Sequence, residues 1–145
     1  MIRWERMKRA LPVAIACLVA ALGCQSNSDQ TQLPTTPTVG TTETFSGTVN
    51  VGGESINPFT IALSGGLLTV TLTAAGPPST VEMGILVGTW DGAACTQVTG
   101  GTVITRAGTA PQLSGNVNAG RYCVRVFDPG NLSAPVTFAI SVVHY

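Results

Sequence analysis

The sequence predicts an all-β fold: an antiparallel β-sandwich of seven or eight short strands, carried behind an export signal and a polar linker. Three observations predict it. Past Thr42, apolar residues alternate with polar or β-branched ones at period two, and no eleven-residue window has helical spacing. Glycine or proline interrupts the chain every eight to twelve residues, the rhythm of a sandwich rather than of a parallel sheet. The whole chain is 145 residues long, enough for one ordinary domain plus attachments.

The strands follow in order. Phe45, Gly47, Val49 and Val51 form the first alternation, and Phe59, Ile61 and Leu63 the second. The Ser64-Gly65-Gly66 turn separates the second from Leu68-Thr69-Val70-Thr71-Leu72-Thr73, the clearest strand, so these two read as a hairpin. Val81, Met83, Ile85 and Val87 come next, closed by Trp90-Asp91-Gly92, where Asp-Gly is a strong turn signal. The stretch after this turn, including Cys95, reads as irregular. Leu113, Gly115 and Val117 form a short strand, and Tyr122, Val124 and Val126 another, ended by Asp128-Pro129-Gly130-Asn131. Val136, Phe138, Ile140 and Val142 make the last. Residues 135–145 carry no Asp, Glu, Lys or Arg, and a bare edge of that kind invites aggregation. This strand is therefore expected in the middle of a sheet rather than at its edge.

Residues 1–23 read as an address. Arg3, Arg6, Lys8 and Arg9 precede the apolar run Ala10 to Gly23, 14 residues long and short of the roughly 20 a bilayer-crossing helix needs. Residues 24–42 read as a tether: past Cys24, QSNSDQTQLPTTPTVGTT has one charge and almost nothing to bury against its ordering entropy. Residues 43–145 are the folded domain.

Charged residues make up 10% of the chain against about a quarter in ordinary globular proteins. From Cys24 onward, three arginines face six carboxylates and there is no lysine, which excludes nucleic-acid binding through a basic patch. Past Cys24 only Cys95 and Cys123 remain. Export places them in an oxidising compartment, where an even pair forms a disulfide. Alternation puts Arg121, Cys123 and Arg125 on the face opposite Tyr122, Val124 and Val126, so the bridge is expected outside the sheet. Asp91 or Asp128 is then placed to pair with Arg125. Without a Cys-x-x-Cys spacing or nearby histidine, the pair does not form a zinc site, and no metal or cofactor is expected.

Two resemblances add to this. Ala21-Leu22-Gly23-Cys24 resembles the lipobox of bacterial lipoproteins, which implies lipidation at Cys24 and a membrane anchor. Gln25 after the cysteine implies the outer membrane, facing the periplasm or the cell surface. The order Phe45-Ser46-Gly47-Thr48-Val49, Leu86-Val87-Gly88-Thr89-Trp90-Asp91-Gly92 and Gly120-Arg121-Tyr122-Cys123-Val124-Arg125-Val126 resembles the bacterial pre-peptidase C-terminal type of domain, over residues 43–145. That resemblance implies a jelly-roll-like sandwich, and in some relatives binding of collagen, carbohydrate or calcium.

For function, the enzymatic reading has little to work with. His144 is the only histidine, no Gly-x-Ser-x-Gly elbow occurs, and nothing in the sequence pairs Glu54, Glu82, Asp91 and Asp128. The expectation is a non-catalytic, membrane-anchored module for binding or structural association at the cell envelope, with a carbohydrate or protein partner. The alternative is a calcium- or carbohydrate-binding accessory module. Trp90 either closes the core at its strand end or stacks on a sugar or peptide. Asp91 and Asp128 either cap turns or supply ligand contacts, including oxygens for calcium.

Overall fold

The computed structural model describes residues 39–62 and 65–145. The address, Cys24 and most of the tether lie outside the described residues. Eight strands form: β1 (Thr41–Val49), β2 (Glu54–Ile61), β3 (Gly66–Gly76), β4 (Met83–Trp90), β5 (Cys95–Thr105), β6 (Leu113–Val117), β7 (Gly120–Phe127) and β8 (Val136–His144). They assemble into two four-stranded sheets, ordered β1-β8-β3-β6 and β2-β7-β4-β5, with every pairing antiparallel. This interleaving is that of a jelly roll, in which successive strands pass from one sheet to the other except at the β4–β5 hairpin.

Three elements differ from the sequence expectation. β2 and β3 are not a hairpin: β2 pairs with β7, and β3 with β8 and β6. A glycine turn signal speaks only for local reversal, while core burial decides the partners, and β2 and β3 belong to different sheets; Leu63 and Ser64 lie outside the described residues. Cys95 does not lie in an irregular stretch but begins β5. That strand lacks period-two burial because it is an edge strand broken by a bulge, Leu86 facing Thr102 while Gly88 faces Gln97. β1 begins at Thr41, inside the stretch read as tether. The Asp91-Gly92 turn does close a true hairpin between β4 and β5, with Gly92 at φ 108°.

β8 lies between β1 and β3, so the uncharged last strand is central in its sheet. Its inward residues Val136, Phe138, Ile140 and Val142 meet Val70 and Leu72 of β3, and across the layers Ile61, Ile85, Val124 and Val126. Each such side chain, when fully buried, contributes about 1.5–3 kcal/mol of transfer free energy, enough to dictate which face of each strand turns inward. His144 continues the inward series. It is buried, stacked on Phe59 at 5.8 Å, and its Nε2 lies 3.1 Å from Glu43 Oε1.

The outer face of the second sheet is also closed over. Gly84 leaves room for the Phe127 ring, and the Arg125 guanidinium lies 5.4 Å from that ring's centre. Leu86 and Cys123 on this face are as buried as the core. Arg125 pairs with Glu54 at 3.2 Å, not with Asp91 or Asp128. Glu54 stands opposite Phe127 on β2, one diagonal step from Arg125 on the same face, whereas both aspartates are engaged in turns.

Candidate functional site

Cys95 and Cys123 form a disulfide with Cα atoms 5.8 Å apart. Their strands flank β4: Cys123 faces Gly88, and Cys95 faces Trp90. The bridge therefore crosses over the central strand on the outer face. Gly88 makes the crossing feasible, since a Cβ there would lie 2.5 Å from the Thr96 carbonyl oxygen and 3.1 Å from Cys95 Sγ. Trp90 is half-buried and shares this face with Gly88 and Leu86.

Asp91 and Asp128 lie at opposite ends of the sandwich. β4 and β7 run antiparallel, from Gly84 against Phe127 to Thr89 against Tyr122, so the turns that follow them point opposite ways. Asp91 Oδ1 accepts the N–H groups of Ala93 and Ala94 at 2.8 and 2.7 Å. Asp128 Oδ1 accepts those of Gly130, Asn131 and Leu132 at 2.7, 2.9 and 3.2 Å, and its Oδ2 accepts that of Gly52 at 2.8 Å. The Ala94 and Ala93 amides hold the Asp91 carboxyl below the usual carboxylate range, and the Gly52 amide does most for Asp128. Both side chains cap backbone donors, and Asp128 fastens the β1–β2 turn to the β7–β8 loop.

Among the described residues, the three glutamates also have separate partners. Glu82 pairs with Arg106 at 3.3 Å, Glu54 with Arg125, and Glu43 with His144. Among the described residues, no three His, Cys, Asp or Glu side chains converge.

A concave feature that reaches the core lies where the two sheets part, between edge strands β5 and β6. This cleft has a volume of about 290 Å³. Its apolar wall includes Val70, Val87, Leu113 and Val117, and its polar rim includes Thr89 and Asn118. Among the described residues, no ionisable side chain other than Tyr122 lines it, and the Tyr122 hydroxyl donates to the Asn118 carbonyl at 3.1 Å. The β5 bulge, Val98 to Gly101, makes one lip, with Gly100 at φ 74°. β6 makes the other, where Gly115 falls at an inward position between Leu113 and Val117. A Cβ at Gly115 would meet nothing within 4 Å, so its lack of a side chain helps keep the cleft open. Trp90 belongs to the opposite face of β4; it is Thr89 that faces the cleft.

A second hollow, about 330 Å³, lies at the Asp128 end among Pro77, Pro78, Arg106 and Leu132. The Glu82–Arg106 pair and the Asn131 Nδ2 bond to the Glu82 carbonyl span it.

Sequence reasoning missed the cleft because it arises where β5 departs from its ladder. The Thr99-Gly100-Gly101 run was the available signal, since paired glycines inside a strand mark a bulge. It also missed the His144–Glu43 pair, although period two places His144 on the inward face.

No protein-family model matches the chain, and no curated protein matches it.

Proposed function

We propose that this protein is a lipid-anchored module of the bacterial cell envelope, non-catalytic, whose sandwich binds a neutral, carbohydrate-class ligand in the cleft between β5 and β6. The observation that carries the reading is the cleft itself: an apolar wall reaching the core, a rim of neutral amide and hydroxyl groups, and no formal charge. Such a site favours a ring with one apolar face and hydroxyls at its edge, and disfavours ions, whose desolvation nothing there would offset. At about 290 Å³ it suits a single sugar ring or chain end rather than a long segment.

The separate pairing of each carboxylate supports a binding role over hydrolysis, which needs two carboxyl groups flanking one bond. Carbohydrate is preferred to calcium because Asp91 Oδ1 and both Asp128 oxygens already receive N–H donors, the wrong polarity for a cation, and the two aspartates lie at opposite ends of the sandwich. The lipobox-like Ala21-Leu22-Gly23-Cys24 supports the anchor, and the jelly-roll order of strands accords with the pre-peptidase C-terminal resemblance.

The test is a thermal-shift and calorimetric screen of the full exported protein in detergent against neutral, anionic and cationic saccharides, with calcium as a separate arm. The reading expects a melting shift from one or more neutral saccharides and none from charged ones. Binding confined to charged saccharides or to calcium would overturn it.

A further inference from the structure

The two sheets present four edges, and three are defended. β2 carries Pro58 in mid-strand, opposite Cys123, and a proline at a sheet edge deprives the outer ladder of a donor. β5 is broken between Gln97 and Thr102, where the Val98–Gly101 bulge has no partner on β4. β6 is only five residues long, and beyond it the Gln112 side chain takes over, Oε1 accepting the Leu72 N–H at 2.7 Å. β1 has none of these devices. It is nine residues long, pairs with β8 in unbroken register from Thr41–His144 to Val49–Val136, and contains no proline and no lysine. Among the described residues nothing pairs with its other side.

We propose that this edge is an interaction surface and that its partner is β1 of a second copy, paired antiparallel about a two-fold axis at Phe45. The strand is complementary to itself in that register. Thr42 meets Thr48 and Thr44 meets Ser46 on the outer face, where cross-strand hydroxyl and β-branched pairs are favourable. On the inner face Glu43, the strand's one carboxyl side chain, meets Gly47 rather than another carboxyl group, and it already has His144 as partner. Phe45, half-buried at the sheet margin, meets its own copy on the axis. The surface alongside is also free of charge: β8 presents Thr137, Ala139, Ser141 and Val143 outward, and β3 presents Leu67, Thr69, Thr71 and Thr73. Two copies therefore approach without like-charge repulsion, and isologous pairing closes after two subunits. The cleft lies on the β5–β6 side of the sandwich, away from β1, so pairing leaves it open.

Sedimentation velocity of the full chain in detergent tests this, with two charge variants on the exposed outer face. The wild type is expected to sediment as a dimer. Thr44→Lys/Ser46→Lys sets lysine against lysine across the axis in both symmetry-related pairs and is expected to yield monomer. Thr44→Lys/Ser46→Asp sets lysine against aspartate at the same places and is expected to restore the dimer. Circular dichroism unchanged from wild type would verify that each variant is folded. A monomeric wild type, a lysine–lysine variant that stays dimeric, or a failure of the lysine–aspartate variant to recover would each overturn the proposal. Saccharide binding measured on the same samples separates this result from the reading of the cleft.

Discussion

Removing the disulfide is the perturbation whose magnitude follows most directly from the structure. Cys95 and Cys123 are 28 residues apart. In the chain-entropy model a loop of that length restricts the unfolded ensemble by about 3.6 kcal/mol at 25 °C. A domain of about a hundred residues has a net stability on the order of 5–15 kcal/mol, so the loss is a quarter to most of the total. At roughly 4 °C per kcal/mol it lowers Tm by about 15 °C. The assay is guanidinium unfolding of wild type, oxidised and reduced, beside Cys95→Ala/Cys123→Ala. The m-value should rise when the bridge is absent, because the unfolded chain then exposes more surface. Gly88 supplies an internal control. In the oxidised protein Gly88→Ala must push the start of β5 away from the bridge, so it should cost more with the disulfide than without it. A loss below about 1 kcal/mol in both reduced and double-alanine proteins would refute the reasoning. It would mean that the unfolded chain is already compact between Cys95 and Cys123 without the cross-link.

Two further outcomes follow. Asp91 and Asp128 have folded pKa values held below the unfolded ones, so their stabilisation is present above the unfolded carboxylate pKa and fades as pH falls through the folded values. Unfolding midpoints measured below about pH 4 should therefore drop less in Asp128→Ala than in wild type, and an identical acid slope would contradict the assignment. Cys24→Ser should abolish radiolabelled palmitate incorporation and release the protein from the membrane fraction; retained label would contradict the anchor.

Much of the fold was legible because its inward residues obey period two without interruption. Phe45 to Val49, Leu68 to Leu72, Tyr122 to Val126 and Val136 to Val142 all appear as strands with the expected faces. The disulfide was legible too, since compartment and cysteine number sufficed. Pairing was not. The Ser64-Gly65-Gly66 signal describes a local reversal, and nothing within ten residues of it encodes that β2 must meet β7 and β3 must meet β8. β5 escaped notice because the bulge breaks its alternation: Val98 and Val103, which pack against the core, stand five residues apart across the unpaired Val98–Gly101 segment, so period two is lost.

The candidate site was harder still to read. Trp90, Asp91 and Asp128 are the residue types that often contact ligands, yet strand parity turns Trp90 away from the cleft, and backbone amides occupy both aspartates. The cleft is made instead of valines and leucines, Thr89 and three glycines, residues that carry no chemical signature until two edge strands diverge around them.

The central claim, that the opening between β5 and β6 receives the ligand, is tested most directly by calorimetric titration of Gly115→Leu with whichever saccharide the wild type binds. The new side chain has open space at its Cβ and points inward, so it fills the cleft without displacing its neighbours. The account predicts a variant at least as stable as wild type, gaining up to about 1–2 kcal/mol from added apolar burial, with binding lost. A Gly115→Leu protein that folds and binds with wild-type affinity would contradict it.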